Sequence, residues 1–212
     1  MNQNITASLK TPLGEAYPAG EKLLQELKSG IPSAFKRLFN LYSPRTFNVA
    51  FRMLQNKQDA EDVTQDVFLQ VYKSLKHFRG DAKISTWLYR ITVNLSLNHQ
   101  RKRKFKRWIS INTESSPSII NENDDESFDI AGAPEENPAY EMERKETEQI
   151  VQEAIKSLPE QQRVAVLLYR YEGLSYEEIA KIMDVSVASV ESRLHRAKIA
   201  LTKRLLKIKK EL

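Results

Sequence analysis

Leu174-Ser175-Tyr176-Glu177-Glu178-Ile179-Ala180-Lys181-Ile182-Met183-Asp184-Val185-Ser186-Val187-Ala188-Ser189-Val190-Glu191-Ser192-Arg193-Leu194-His195-Arg196-Ala197 reads as two short helices joined by a tight turn. Ser175 with Glu178 three residues on forms a capping box, the hydroxyl accepting a free backbone N–H and the carboxylate reaching back to the cap, so a helix starts at Ser175. Its inward face is Ile179, Ile182 and Met183, and Ala180 is small where a longer side chain would hold the second helix away. Asp184 falls at the turn, where a left-handed backbone is usually required; Gly is the least strained choice there, and Asp is among the few residues that tolerate it. Val185 plugs the corner, Ser186 caps the next helix, and Val190 and Leu194, at i and i+4, face inward. Val187, Ala188, Ser189, Glu191, Ser192, Arg193 and Arg196 are left pointing outward or to the rim. This is the pattern of a DNA-reading helix-turn-helix, whose second helix enters the major groove while the first crosses the phosphate backbone. A helical hairpin inside a larger bundle shares the local pattern. The tail that follows, Lys198, Lys203, Arg204, Lys207, Lys209 and Lys210, favours the first reading, because so one-sided an array suits phosphate neutralisation.

The 212 residues have room for two small domains, and the net charge of +5 favours an anionic partner where the charge is clustered. With no cysteine, neither a disulfide framework nor a thiolate zinc site can form, which fits a reducing cytoplasm. No apolar run approaches the length of a membrane span and the first residues lack a signal-peptide layout, so a cytoplasmic protein without direct membrane insertion is expected. Long stretches at helical spacing, without strict alternation, predict an all-α protein. His77, His99 and His195 lack metal-ligand spacing, no Gly-rich phosphate loop occurs, and no nucleophile is paired with a base. No cofactor or metal is expected, and the chain reads as non-enzymatic.

Residues 1–20, with Pro12, Gly14, Pro18 and Gly20, read as a mobile leader. Residues 21–110 form a first helical domain. Its apolar pattern runs through Leu23, Leu24 and Leu27, then Ala34, Phe35, Leu38, Phe39, Leu41 and Tyr42, then Phe47, Val49, Ala50, Met53 and Leu54, with Pro44 inside as a kink or an accommodated residue. A helix beginning near Asp59 carries Val63, Val67, Phe68, Val71, Tyr72 and Leu75. After a loop of about seven residues, a helix from near Ser85 runs through Trp87, Leu88, Ile91 and Leu95 to the basic cluster Arg101–Arg107. On it Asn94, Asn98 and Arg101 lie at i, i+4 and i+7 on one face, with Arg90 one turn earlier; a polar stripe running into a basic cluster suits nucleic acid. Residues 111–139 are a disordered acidic linker, with Glu114, Glu122, Asp124, Asp125, Glu126, Asp129, Glu135 and Glu136 and no Lys or Arg. Residues 140–212 form the second helical domain: a helix from near Tyr140, a break at Leu158-Pro159, a helix from Glu160 to Tyr171, then the helix-turn-helix.

Four segments together point to a family: Asp59-Ala60-Glu61-Asp62-Val63-Thr64-Gln65-Asp66-Val67-Phe68, Phe78-Arg79-Gly80-Asp81, Thr86-Trp87-Leu88-Tyr89-Arg90-Ile91, and Leu158-Pro159-Glu160-Gln161-Gln162-Arg163 with Gly173–Ala180. In this order, around an acidic linker, the chain resembles the extracytoplasmic-function group of bacterial sigma factors, in the sigma-70 superfamily. The resemblance implies a dissociable subunit of RNA polymerase that reads a promoter at two places and helps to open it, with core RNA polymerase and promoter DNA, duplex and melted non-template strand, as partners. It implies docking on core polymerase through Asp62, Gln65, Asp66 and Phe68, with Phe68 as a buried aromatic anchor. It further implies minus-ten recognition by Arg79, Asp81, Lys83, Arg90, Asn94, Asn98 and Arg101, with one base flipped into the Phe78–Ser85 loop. Trp87 and Tyr89 invite base stacking, but Trp87 falls in the core-like Thr-Trp-Leu pattern. The helix-turn-helix would read the minus-thirty-five element through Ser186, Ser189, Glu191, Ser192, Arg193 and Arg196. Many relatives carry a basic residue where this chain has Glu191, so altered sequence preference is expected there. The linker is either a nucleic-acid mimic inside polymerase or a solvated spacer. An anti-sigma factor is a further implied partner. The competing readings are a free-standing, dimerising transcription regulator that binds operator DNA without polymerase, and a scaffold whose basic ends touch nucleic acid nonspecifically.

Overall fold

The computed structural model describes residues 20–78, 80, 82–112 and 138–211. Among them are eight α-helices and one 3-10 turn: α1 (Gly20–Lys28), α2 (Pro32–Leu54), α3 (Lys57–Ser74), the turn Leu75–His77, α4 (Ile84–Asn112), α5 (Pro138–Lys156), α6 (Glu160–Arg170), α7 (Tyr176–Met183) and α8 (Val187–Glu211). No strand occurs among the described residues, as expected of an all-α chain. None of their helices is long and apolar enough to cross a membrane. The chain forms two compact units, one holding α1 to α4 and the other α5, α6, α8 and most of α7. The leader up to residue 19, Arg79, Asp81 and linker residues 113–137 lie outside the described residues.

In the first unit α2, α3 and α4 pack pairwise, with α1 against α2. Ala60, Val63, Val67 and Val71 recur at helical spacing and form the buried face of α3. They meet Leu38, Val49 and Ala50 of α2 and Leu88, Thr92 and Ser96 of α4 in a core where alanine and serine let the helices come close. Each large aliphatic side chain removed from water there contributes about 1.5–3 kcal/mol. The buried hydroxyls of Thr64 and Thr92 are satisfied locally, donating to the carbonyls of Ala60 at 2.7 Å and Leu88 at 2.8 Å. The salt bridge Arg37–Glu26 ties α1 to α2. Pro44 is accommodated within α2.

Several boundaries differ from the expectation. α3 begins at Lys57, two residues before Asp59, because the Asn56 side chain accepts the Asp59 amide at 2.9 Å and so caps the helix earlier. α4 extends to Asn112 and α5 starts at Pro138, so both helices take residues from the expected linker; Pro suits a first helical position, where its missing N–H costs nothing.

In the second unit α6 and α5 pack on α8 around Ala154, Val164, Ala165, Leu168, Val190 and Ala197, all essentially buried. The Arg163 guanidinium donates to the Lys156 carbonyl at the end of α5, 3.2 Å away, and thereby holds the α5–α6 corner. Burial lowers its pKa from the ordinary arginine value, against the opposing charge of Glu160. The capping box is present: the Glu178 amide donates to Ser175 Oγ at 3.2 Å and the Ser175 amide to Glu178 Oε2 at 3.1 Å. Asp184 adopts the left-handed conformation, φ 56°, and its amide returns to the Ala180 carbonyl to close α7. Replacing Ser175 by alanine is expected to cost about 1 kcal/mol, which would lower the unfolding midpoint of this unit by about 4–8 °C in a calorimetric scan of the full chain.

Candidate nucleic-acid interface

The roll of α8 about its axis decides what the helix-turn-helix presents. Ser186 caps the helix by accepting the Ser189 amide at 3.2 Å. Val190 and Ala197 are fully buried, and Leu194 is half-buried. With that face turned inward, Glu191 and Arg196 are exposed, while Ser189, Ser192 and Arg193 are half-buried on the rim. Ser186 itself stands exposed at the start of the helix. All six residues expected from the sequence thus lie along the N-terminal half of α8 and its cap. The positive end of the helix dipole and two guanidinium groups make this half attractive to phosphate, and Glu191 is the one opposing charge among the six.

In the first unit the candidate surface is α4. Three contacts set its roll: Gln100 donates to the Met53 carbonyl at 2.5 Å, and Asp59 of α3 meets both His99, at 3.6 Å, and Arg103, at 3.2 Å. Leu88, Ile91 and Leu97 are buried by this placement. Arg90, Asn94, Asn98 and Arg101 are all exposed, so the four share a solvent-facing side. Lys83 is exposed just before the helix, whereas Ser85 and Thr86 are buried. Arg79 and Asp81, expected beside Lys83, are outside the described residues. The two aromatic residues that invited base stacking are otherwise engaged. Trp87 is half-buried and stacks on Phe78, ring centroids 4.6 Å apart, and Tyr89 is only 3% exposed. Tyr89 therefore has no face to offer a base, because the roll that exposes Arg90 buries it.

A third surface lies on α2 and α3. Phe35, Phe39, Gln65, Phe68, Leu69 and Tyr72 line an open apolar groove. Phe68 is its floor, with Phe39 and Phe35 edge-on to it at 4.8 and 6.5 Å. Of the residues expected to dock on a partner, Asp62, Gln65 and Asp66 are exposed and Phe68 is buried within its own unit. Tyr72, expected on the inward stripe of its helix, is instead 67% exposed, because α3 turns Val71 to the core and carries Tyr72 out over Phe35. Leu69, 55% exposed, escaped the sequence reading altogether. Its signal is a leucine on the otherwise polar side of an amphipathic helix, three residues from a tyrosine.

The fold and surfaces define a class: a helical protein of two units, one carrying a helix-turn-helix and the other both a polar and basic helix face and an apolar groove. Residues 38–106 match the sigma-70 region 2 family and residues 148–201 the sigma-70 region 4 family. The chain is 35% identical to the RNA polymerase sigma-H factor of Pseudomonas aeruginosa, over 90% of this chain and 96% of that protein. It is 36% identical to the ECF RNA polymerase sigma-E factor of Escherichia coli strain K12, over 84% of this chain and 90% of that protein. Among solved structures, its fold is similar to CnrH in complex with the cytosolic domain of CnrY, with a TM-score of 0.61 and 22% identity over 88% of this chain and 97% of that one. It is also similar to the sigma factor RpoE in complex with the anti-sigma factor NepR from Bartonella quintana, with a TM-score of 0.59 and 24% identity over 81% and 96% of the two chains. The chain belongs to the extracytoplasmic-function sigma factors of the sigma-70 family.

Proposed function

We propose that this sigma factor binds core RNA polymerase through the α2–α3 groove and its polar rim, reads the minus-ten element with α4 and the loop before it, and reads the minus-thirty-five element with α8. The observation that carries the proposal is the presence on one chain, in order, of a region 2 match at 38–106 and a region 4 match at 148–201. A free-standing regulator needs only the second.

The chemistry of each surface supports its part. An apolar groove lined in part by Gln65, on a helix that also exposes Asp62 and Asp66, suits a protein partner that buries aromatic side chains and offers basic groups nearby. Arg90, Asn94, Asn98 and Arg101 combine amides that read base edges with guanidinium groups that neutralise phosphate. Lys83, with Arg79 and Asp81, lines the site for the extruded base, where binding offsets the cost of unstacking. In α8, Arg193 and Arg196 contact phosphate or guanine, Ser186, Ser189 and Ser192 make short-range hydrogen bonds, and Glu191 accepts from a cytosine amino group or repels phosphate. The protein does no bond chemistry itself; polymerase does. An anti-sigma factor that covers these faces is the partner that would hold the chain inactive.

The test is transcription reconstituted from purified core polymerase and the full chain on fragmented genomic DNA. Initiation at discrete sites, absent without the chain, is expected. Tight dimeric operator binding without polymerase, and no initiation with it, would overturn the proposal in favour of a regulator.

A further inference from the structure

Residues 94, 98, 101, 105 and 108 are spaced alternately four and three apart, so they share one stripe of α4. The first three are Asn94, Asn98 and Arg101. The last two are Phe105 and Trp108, each 62% exposed, with ring planes 17° apart and centroids 6.3 Å apart. Scattered exposed apolar residues need no explanation, but a stacked pair with the exposed Ile109 beside it is a contiguous apolar ridge on a surface helix. The surrounding charge says what covers it. From Ala82 to Thr113 the chain has no Asp or Glu, and Lys102, Lys104, Lys106 and Arg107 flank the rings. A single-sign basic field interleaved with aromatic faces is complementary to nucleic acid. The region 2 match ends at residue 106, two residues short of Trp108.

We propose that Phe105 and Trp108 form an additional contact with duplex promoter DNA beside the minus-ten element, the rings packing against deoxyribose and base edges while the flanking Lys and Arg side chains reach phosphates. The proposal rests on the assignment of Asn94 and Asn98 to promoter DNA. The melted strand is assigned to the loop before α4, so the far end of the helix faces the double-stranded side. At about 1.5 Å per residue, Trp108 lies about 15 Å beyond Asn98, which is about four to five base pairs along the duplex.

The test uses holoenzyme assembled from core polymerase and the full chain, with the photo-crosslinking amino acid p-benzoylphenylalanine placed at position 98 or at position 108. Position 98 is expected to crosslink within the minus-ten element, and position 108 to duplex about four to five base pairs further from the melted region. In parallel, two partly melted promoter fragments lacking a minus-thirty-five element are compared, one ending at the upstream border of the minus-ten element and one extended by about six base pairs. The extension should strengthen binding of the unsubstituted holoenzyme about fivefold and that of the Phe105→Ala/Trp108→Ala variant, which keeps the flanking Lys and Arg side chains, by about twofold or less. Crosslinks from 98 to DNA but from 108 only to polymerase or to this chain would overturn the proposal, as would an equal gain for both proteins. No DNA crosslink from position 98 would remove the α4 assignment itself, and the proposal with it.

Discussion

Replacing Leu69 and Tyr72 together by aspartate is expected to weaken binding to core polymerase by about a hundredfold or more, read by titrating a fluorescently labelled chain with core enzyme. These are the most exposed apolar side chains of the α2–α3 groove, 55% and 67% exposed above the buried Phe68. An aromatic anchor that enters a partner's pocket typically contributes about 2 kcal/mol or more, and two carboxylates left in a desolvated interface add their own penalty. The same substitutions should leave the fold intact, since exposed positions change stability by about 0.5 kcal/mol or less. Val67→Asp supplies the contrast: Val67 is 0% exposed, so that variant should lose its folded first unit. Full core affinity in a folded Leu69→Asp/Tyr72→Asp variant would show that polymerase docks elsewhere.

The second large effect is expected at α8. Arg193→Ala and Arg196→Ala should each cost about 1–3 kcal/mol if the side chain pairs with a guanine edge, and together they should abolish transcription that depends on an intact minus-thirty-five element. Salt separates the two roles. Removing a side chain that pairs with phosphate lowers the slope of log affinity against log salt by about one and weakens all promoters alike. Removing one that reads a base edge relaxes specificity at a single position. Glu191 gives an internal control, because Glu191→Lys replaces the one acidic side chain among the six residues proposed to face DNA and should strengthen binding while shifting the preferred sequence. Unchanged minus-thirty-five dependence in the double arginine variant would sink the assignment.

Much of this molecule is legible one segment at a time. The capping box, the left-handed Asp184 and the Ser186 cap are set by interactions within a few residues, and each follows from residue type and spacing. The division into two helical units is likewise legible, because the composition changes between them from helical apolar spacing to a long acidic stretch without Lys or Arg. The roles of α3 and α4 are less so. Tyr72 falls on the apolar stripe by spacing yet lies outside the core, and Leu69 falls on the polar side yet belongs to the groove. Helical periodicity defines an arc of side chains about 100° wide without saying where a neighbouring helix stops covering it.

Sequence by itself therefore determined that the protein is all-α, that it carries a helix-turn-helix closed at both ends by local hydrogen bonds, and that its motifs resemble those of an extracytoplasmic-function sigma factor. Only the tertiary structure decided which aromatic residues are available to partners. Phe68 and Tyr89 are consumed by packing within their own unit, while Tyr72, Phe105 and Trp108 are left at the surface. The reason is that exposure belongs to the packed set of helices and not to any one of them. Gln100 reaching Met53, and Asp59 reaching His99 and Arg103, fix the roll of α4 across forty or more residues of chain, and that roll selects the face that meets solvent.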